Sequence, residues 1–418
     1  MGLKFDVIEQ DHAARIKVVG VGGCGNNALN TMIDDGVQGV EFIAVNTDKQ
    51  ALANNLAPLR IQLGAGLGAG GNPEAGRREA ENSTERIRDA LEDANMVFIT
   101  AGMGGGTGTG AAPIVAEVAR ELGALVVAVV TKPFNYEGRR RMRVAEEGIE
   151  ALRSQVDTII VIPNQKLLAV AGSDTTLMEA FKKANDVLLK GVRSIADLVV
   201  QEGHVNLDFA DVKSVMKATE ITGELALMGT GVATGDKRAV DAAAEAISCP
   251  LMENVSIDGA RGVLINITGG IDLRLSEVNE AAELIMKSCS EDAAIFWGQV
   301  IDPAMQEEVR VTVIATGFDE AREQMLTRTR PSPLNQHKPH FGEERTARPT
   351  SLSRPERPVE AEMQEEEEQQ VAAGGDRGTR VHTSSTHKMW TQRRPGLSGD
   401  VDAYDMEPAI LRNRRRPD

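Results

Sequence analysis

Two stretches of the chain carry residue types that can do chemistry on a phosphate. The first is Gly102-Met103-Gly104-Gly105-Gly106-Thr107-Gly108-Thr109-Gly110. Glycines let a backbone approach a ligand closely and reach positive φ, so successive N–H groups can turn toward one anion. Thr107 and Thr109 add hydroxyl donors among them. The second stretch is Asn206-Leu207-Asp208-Phe209-Ala210-Asp211. Asp208 and Asp211 stand three apart, so at a helix start both carboxylates share a face. There they can hold a cation or polarise a water for attack on phosphorus. Aspartate at a helix start is also a common N-cap, and spacing alone favours that plainer role.

The elements that must position these residues can be read from pattern. Met96 to Ala101 is a short apolar run that predicts a buried strand, and Ala111 to Leu122 predicts a helix with Pro113 in its first turn. A strand, a glycine turn and a helix N-terminus together make an anion site, with a polyphosphate as the natural ligand. No Gly-Lys-Ser/Thr ends the loop, so it is not a Walker A motif. Upstream, a strand over Ala14 to Val19 runs into Gly20-Val21-Gly22-Gly23-Cys24-Gly25, and a helix is expected over Asn26 to Ile33. This is the Gly-x-Gly-x-x-Gly spacing of dinucleotide sites, and Asp48 follows the next strand (Val40 to Val45) where a ribose-binding acid can fall. An NAD-dependent oxidoreductase therefore fits this segment taken alone. A third glycine-rich stretch, 63–73, precedes an expected helix over Pro73 to Leu91. Three such loops suit one nucleotide bound at the carboxyl ends of parallel strands. With strand-like 124–131 and 158–163, the first half reads as a doubly wound α/β sheet.

Further along, Lys132-Pro133-Phe134-Asn135-Tyr136-Glu137 leads to Arg139-Arg140-Arg141, where a glutamate and an arginine can hold a polar edge and a phosphate. Thr176 to Val200 is a long amphipathic helical pattern, the kind that joins two lobes. Taken by segment, 1–13 reads as a flexible N-terminus, 14–175 as the nucleotide domain and 176–200 as the central helix. Residues 201–222 form the acidic loop and a following helix, and 223–318 a smaller α/β lobe with no catalytic constellation of its own. Residues 319–398, broken by prolines and an acidic block, read as a disordered linker, and 399–418 as a terminal peptide that folds on a partner.

Composition narrows the class. The 418 residues include 41% hydrophobic but only 3% aromatic side chains, so aliphatic residues fill the core. A net charge of −16 argues against nucleic acid as a partner of the body. Three widely spaced cysteines suggest a reducing compartment rather than a disulfide framework or a zinc site. With no signal-peptide pattern at the start, a cytoplasmic location is expected.

The Gly104–Gly110 loop matches Gly-Gly-Gly-Thr-Gly-Thr/Ser-Gly, and Asn206–Asp211 matches Asn-x-Asp-Phe-x-Asp. On these motifs the chain resembles the bacterial FtsZ branch of the tubulin/FtsZ family, the cell-division GTPases. The likeness extends over about 13–318 and the terminal peptide. It implies that Gly20, Gly22, Gly23, Asn26 and the Gly104, Gly105, Gly106, Thr107, Gly108, Thr109, Gly110 loop hold GTP or GDP. Glu137 and Arg141 would contact ribose and phosphate, with Asn164 at a nucleotide-loop position. Phe181 would stack on the base, and Asp186 would read guanine through its ring N–H and amine. The resemblance implies Mg²⁺ on the phosphates, with no protein ligand set assigned, and K⁺ as an assisting cation. It also implies a head-to-tail homopolymer, in which Asn206, Asp208 and Asp211 reach the GTP of the next subunit. The terminal peptide would dock on membrane-anchoring and regulatory division proteins, at mid-cell on the inner face of the membrane. A filament former that binds GTP without hydrolysing it is the competing reading, and Asp208 and Asp211 argue against it.

Overall fold

A computed structural model describes residues 14–171, 175–200, 207–217, 223–252, 257 and 259–318. The expected flexible N-terminus, Asn206 and the rest of 201–206, the linker and the terminal peptide lie outside the described residues. One ten-stranded sheet runs through the molecule in the order β3-β2-β1-β4-β5-β6-β7-β10-β8-β9. Its first seven strands are β1 (Ile16–Val21), β2 (Val40–Asn46), β3 (Leu59–Gln62), β4 (Met96–Gly102), β5 (Leu125–Lys132), β6 (Thr158–Pro163) and β7 (Glu224–Thr234). All of these pair in parallel. Beyond β7, β10 (Glu308–Thr316) pairs antiparallel with both β7 and β8 (Gly262–Gly269), and β9 (Ala294–Ile301) closes that edge.

Helices cover both faces of the parallel part. One face carries α1 (Gly22–Asp34), α2 (Lys49–Ala53), α7 (Asn164–Ala171), α8 (Leu177–Val200) and α9 (Phe209–Met216). The other carries α3 (Pro73–Glu81), α4 (Thr84–Leu91), α5 (Thr107–Glu121) and α6 (Arg139–Arg153). Met96 and Phe98 pack into the first core, while Val97, Ile99 and Ala101 of the same strand pack into the second. Burial on both faces is why this strand is continuously apolar rather than alternating. A third core lies between the antiparallel strands and α10 (Arg238–Ile247) with α11 (Leu275–Met286). Among the described residues no helix is long and apolar enough to cross a membrane.

Two expectations need correction, and one strand went unread. The helix expected over Pro73 to Leu91 is two, α3 and α4, because Asn82 caps the first and Ser83 leaves helical geometry with ψ 13°. Both α1 and α5 begin inside their glycine stretches, several residues earlier than the apolar periodicity indicates. The strand β3 has only Ile61 buried, so its four residues carry no alternation to read.

The central helix α8 is pinned in its C-terminal half. Arg193 bridges to Asp197 at 3.1 Å, to Asp302 beyond β9 at 3.7 Å, and to Asp35 at the end of α1. Asn266 of β8 donates to the Ser194 carbonyl at 2.8 Å. The helix therefore ties both parts of the sheet to one rod.

Candidate functional site

The strand order reverses between β1 and β4, the neighbours whose carboxyl ends carry the first and principal glycine loops. A crevice forms at such a reversal because the two connections leave toward opposite faces. Here the loops meet backbone to backbone. Gly22, at φ +74°, has Gly108 N only 2.8 Å from where a Cβ would sit. Gly104, at φ +97°, lies against Arg141, whose carbonyl is 2.7 Å from the corresponding point. Around the points where a Cβ would sit on Gly23 and Gly105 nothing among the described residues lies within 4 Å, so both loops have open space at their tips. Neither α1 nor α5 has a side-chain cap, which leaves their first N–H groups and positive dipole ends for an anion. The arrangement suits a polyphosphate.

Polar side chains hold the cradle in shape. Thr109 Oγ1 accepts from Gly104 N at 2.9 Å and so closes the loop. Thr107 Oγ1 lies 2.5 Å from Thr47 Oγ1. Asn26 is buried, and with its amide oriented to satisfy its neighbours it donates to the Gly20 carbonyl at 2.8 Å and accepts from Asn46 at 3.1 Å. Asn26 thus braces the first loop from beneath. Asp48, suited by sequence to a ribose, caps α2 by accepting from Gln50 N and Ala51 N. Cys24 lies against Gly102 and Thr131, and burial pushes its thiol above the usual range, so it is held as the neutral thiol.

A second group of residues lies at the ends of β5 and β6 and on α8. Glu137 pairs with Arg141 at 3.0 Å and accepts from Phe134 N at 2.8 Å. Glu137 is largely buried while Arg141 is half exposed, so the pair presents a cation outward beside the loop at Gly104. Asn164 opens α7, is buried, and its Oδ1 has no partner among the described residues. An orphaned buried acceptor costs free energy that a ligand donor would return. Phe181 meets Phe134 edge to face at 5.6 Å and is 40% exposed, so an aromatic face remains available. Asp186, farther along α8, has its carboxyl raised above the usual range, first by burial, with Lys182 and Lys190 pulling the other way.

The acidic turn is built differently. Asp208 Oδ1 accepts from Asp211 N at 2.7 Å and Asp211 Oδ2 from Asp208 N at 3.3 Å, a reciprocal capping box at the start of α9. The plainer reading of this pair is therefore realised. Capping uses one oxygen of each carboxylate in these bonds, and Asp208 remains exposed. The α9 helix is anchored at its far end, where Thr316 donates to the Val215 carbonyl at 2.8 Å. Thr47 was missed by sequence reasoning; the only signal was a hydroxyl at the carboxyl end of a buried strand.

The Tubulin/FtsZ family GTPase domain matches residues 15–172, and the FtsZ family C-terminal domain matches 224–319. Among solved structures, an empty FtsZ dimer from M. jannaschii is 44% identical over 74% of this chain and 89% of that one, with a TM-score of 0.70. A tryptophan-to-tyrosine mutant of FtsZ from M. jannaschii matches at the same identity and TM-score, over 74% of this chain and 92% of that one. CetZ1 from Haloferax volcanii, a GDP-bound monomer, shares the fold at 18% identity, with a TM-score of 0.64 over 75% of this chain and 97% of that one. The 44% relatives are archaeal, so they carry the family without the bacterial source expected from the motifs. The chain belongs to the tubulin/FtsZ family, with the family's GTPase domain followed by an FtsZ C-terminal domain.

Proposed function

We propose that the chain is a polymerising GTPase that assembles head to tail and hydrolyses GTP where two subunits meet. The observation that carries this reading is the division of labour in one molecule. Two glycine loops with uncapped helix starts meet at the β1/β4 reversal, while the paired carboxylates stand at the start of α9, after the central helix. A filament would bring the two together, the acidic turn of one subunit closing over the nucleotide of the next. Exposed Leu67 in the 63–73 loop and Leu177 and Met178 at the start of α8 would supply apolar contact around the cradle. A solved CetZ2 from Haloferax volcanii is described as a GTPγS-bound protofilament, which fits this picture for the fold at large.

In this reading the loop N–H groups around Gly22, Gly23 and Gly104–Gly110 bind the phosphates and offset charge that develops as the terminal phosphoryl group leaves. Glu137 and Arg141 hold the ribose and a phosphate, and the unpartnered Asn164 Oδ1 takes a nucleotide donor. Phe181 stacks on the base, and Asp186 accepts from the guanine edge. Asp208, Asp211 and Asn206 of the following subunit orient the attacking water. Catalysis is then positioning and electrostatics rather than covalent chemistry. Among the described residues no cluster of three His, Cys, Asp or Glu can hold a metal ion. Mg²⁺ would thus sit mainly on the phosphates, as is common for this hard cation, and would supply charge neutralisation there; K⁺ would assist nearby. The segment boundaries given above, the linker, the peptide that docks on membrane-anchoring division proteins, and a mid-cell site belong to the same proposal.

The test is GTP turnover against protein concentration, with light scattering recorded on the same samples. Turnover that rises only above a threshold, together with scattering, is expected. Turnover strictly proportional to concentration without scattering would overturn the shared site.

A further inference from the structure

Thr47 and Thr107 lie sixty residues apart in sequence, both are buried, and their hydroxyl oxygens are 2.5 Å apart. Thr107 is the first residue of α5, between Gly106 and Gly108, where an anion at the helix start would lie. A hydroxyl has one hydrogen and two lone pairs, so in such a pair one oxygen donates and the other keeps its hydrogen for a third partner. The backbone around Thr47 is held against the 63–73 loop. Its carbonyl accepts from Gly68 N at 2.9 Å, Lys49 N donates to Gly66 O at 3.1 Å, and its neighbours Asn46 and Asp48 are committed to Asn26 and to the cap of α2. Thr47 is thus a fixed point, and Thr107 is the member of the pair that borders the open loop.

We infer that Thr47 is a positioning residue of the phosphate site: its hydroxyl donates to Thr107 Oγ1 and leaves the Thr107 hydrogen to be donated to an anionic phosphoryl oxygen. The direction follows from charge. A phosphate accepts and cannot donate when fully ionised, so the hydroxyl nearest to it must donate and must itself be fed a hydrogen from behind. The hydrogen bonds then run one way, from Thr47 through Thr107 to the ligand, and each polarises the next. No covalent bond forms or breaks. The inference deepens the guanine-nucleotide reading above and rests on it.

The experiment is a fluorescence titration with a methylanthraniloyl-labelled GDP, with the melting temperature of each variant measured alongside. Thr47→Val keeps the shape and removes the hydroxyl; a roughly tenfold loss of affinity is expected, about the worth of one hydrogen bond to a charged group. Thr47→Ser restores the hydroxyl and should bind within about twofold of the wild type. Thr107→Val should lose at least as much as Thr47→Val, and the double variant no more than Thr107→Val alone, because the two hydroxyls act as one unit. Wild-type affinity in Thr47→Val would overturn the inference. So would additive losses in the double variant, or losses in Thr47→Val and Thr47→Ser that merely follow their melting temperatures. Failure of the wild-type chain to bind the labelled GDP would instead remove the nucleotide reading, and the inference with it.

Discussion

The phosphate cradle and the acidic turn are made from equally short motifs, yet the fold treats them in opposite ways. The cradle is over-determined: two loops abut through glycine backbone, Thr109 closes one loop on itself, and Asn26 and Thr47 brace them from behind. Among the described residues the acidic turn is held by its own capping box and by the packing and anchoring of α9, and it leaves Asp208 exposed. In the proposed reading, this difference lets nucleotide binding be finished inside one subunit while hydrolysis waits for a nucleotide brought to the carboxylates. Sites that bind charge with backbone donors need rigidity, and a group that must meet a neighbour needs exposure.

Breaking the cradle should have the largest effect. Gly22→Ala puts a Cβ 2.8 Å from Gly108 N on a backbone at φ +74°. Strain and overpacking together come to about 4 kcal/mol, relieved only by parting the loops, so nucleotide affinity should fall on the order of a thousandfold. Calorimetric titration with GDP checks this, and near-normal affinity would mean the two loops are not one cradle. Asp211→Ala acts on the other region alone. GTP binding should survive, turnover should fall on the order of a hundredfold, and loss of the cap should cost about 1 kcal/mol of stability. Wild-type turnover in that variant would reduce the acidic turn to a helix cap.

Smaller effects sharpen the contrast. Arg141→Ala removes the outward cation beside Gly104 and leaves Glu137 buried without its partner. A roughly tenfold loss of nucleotide affinity is expected, with little change in turnover at saturating GTP. An unchanged affinity would detach this pair from the site. The smallest effect concerns Asp186, whose carboxyl burial raises above the usual range. A raised folded-state value means the ionised form is less favourable in the folded than in the unfolded chain. Its unfavourable contribution to stability at neutral pH is relieved as pH falls through the raised value. In the proposed reading guanine is held by the ionised acceptor, so affinity should weaken over the same fall in pH, and Asp186→Asn should abolish that dependence. A pH series of GDP titrations on both proteins would show it.

Pattern reading succeeded where local chemistry and tertiary demand coincide. The run Met96 to Ala101 is apolar because both of its faces are covered, and the glycine loop after it does join a buried strand to a helix. The helix starts were misread because α1 and α5 begin in glycine, which propensity counts against a helix and which packing at the reversal requires. The single helix expected over Pro73 to Leu91 breaks at Ser83, whose backbone leaves helical geometry at φ −114° and ψ 13°, a local turn that a continuous charge pattern does not record.

The sequence by itself determined the residue types: which loops can bind an anion, which carboxylates pair, and which strands are buried on both faces. These depend on neighbours in the chain, and neighbours in the chain are what a pattern records. Only the tertiary structure decided that Gly22 rests on Gly108, that Thr47 stands behind Thr107, and that Asn164 keeps an unpartnered acceptor. Those contacts join residues far apart along the chain. They exist because the order of parallel strands brings two loops to one crevice, which no local propensity specifies.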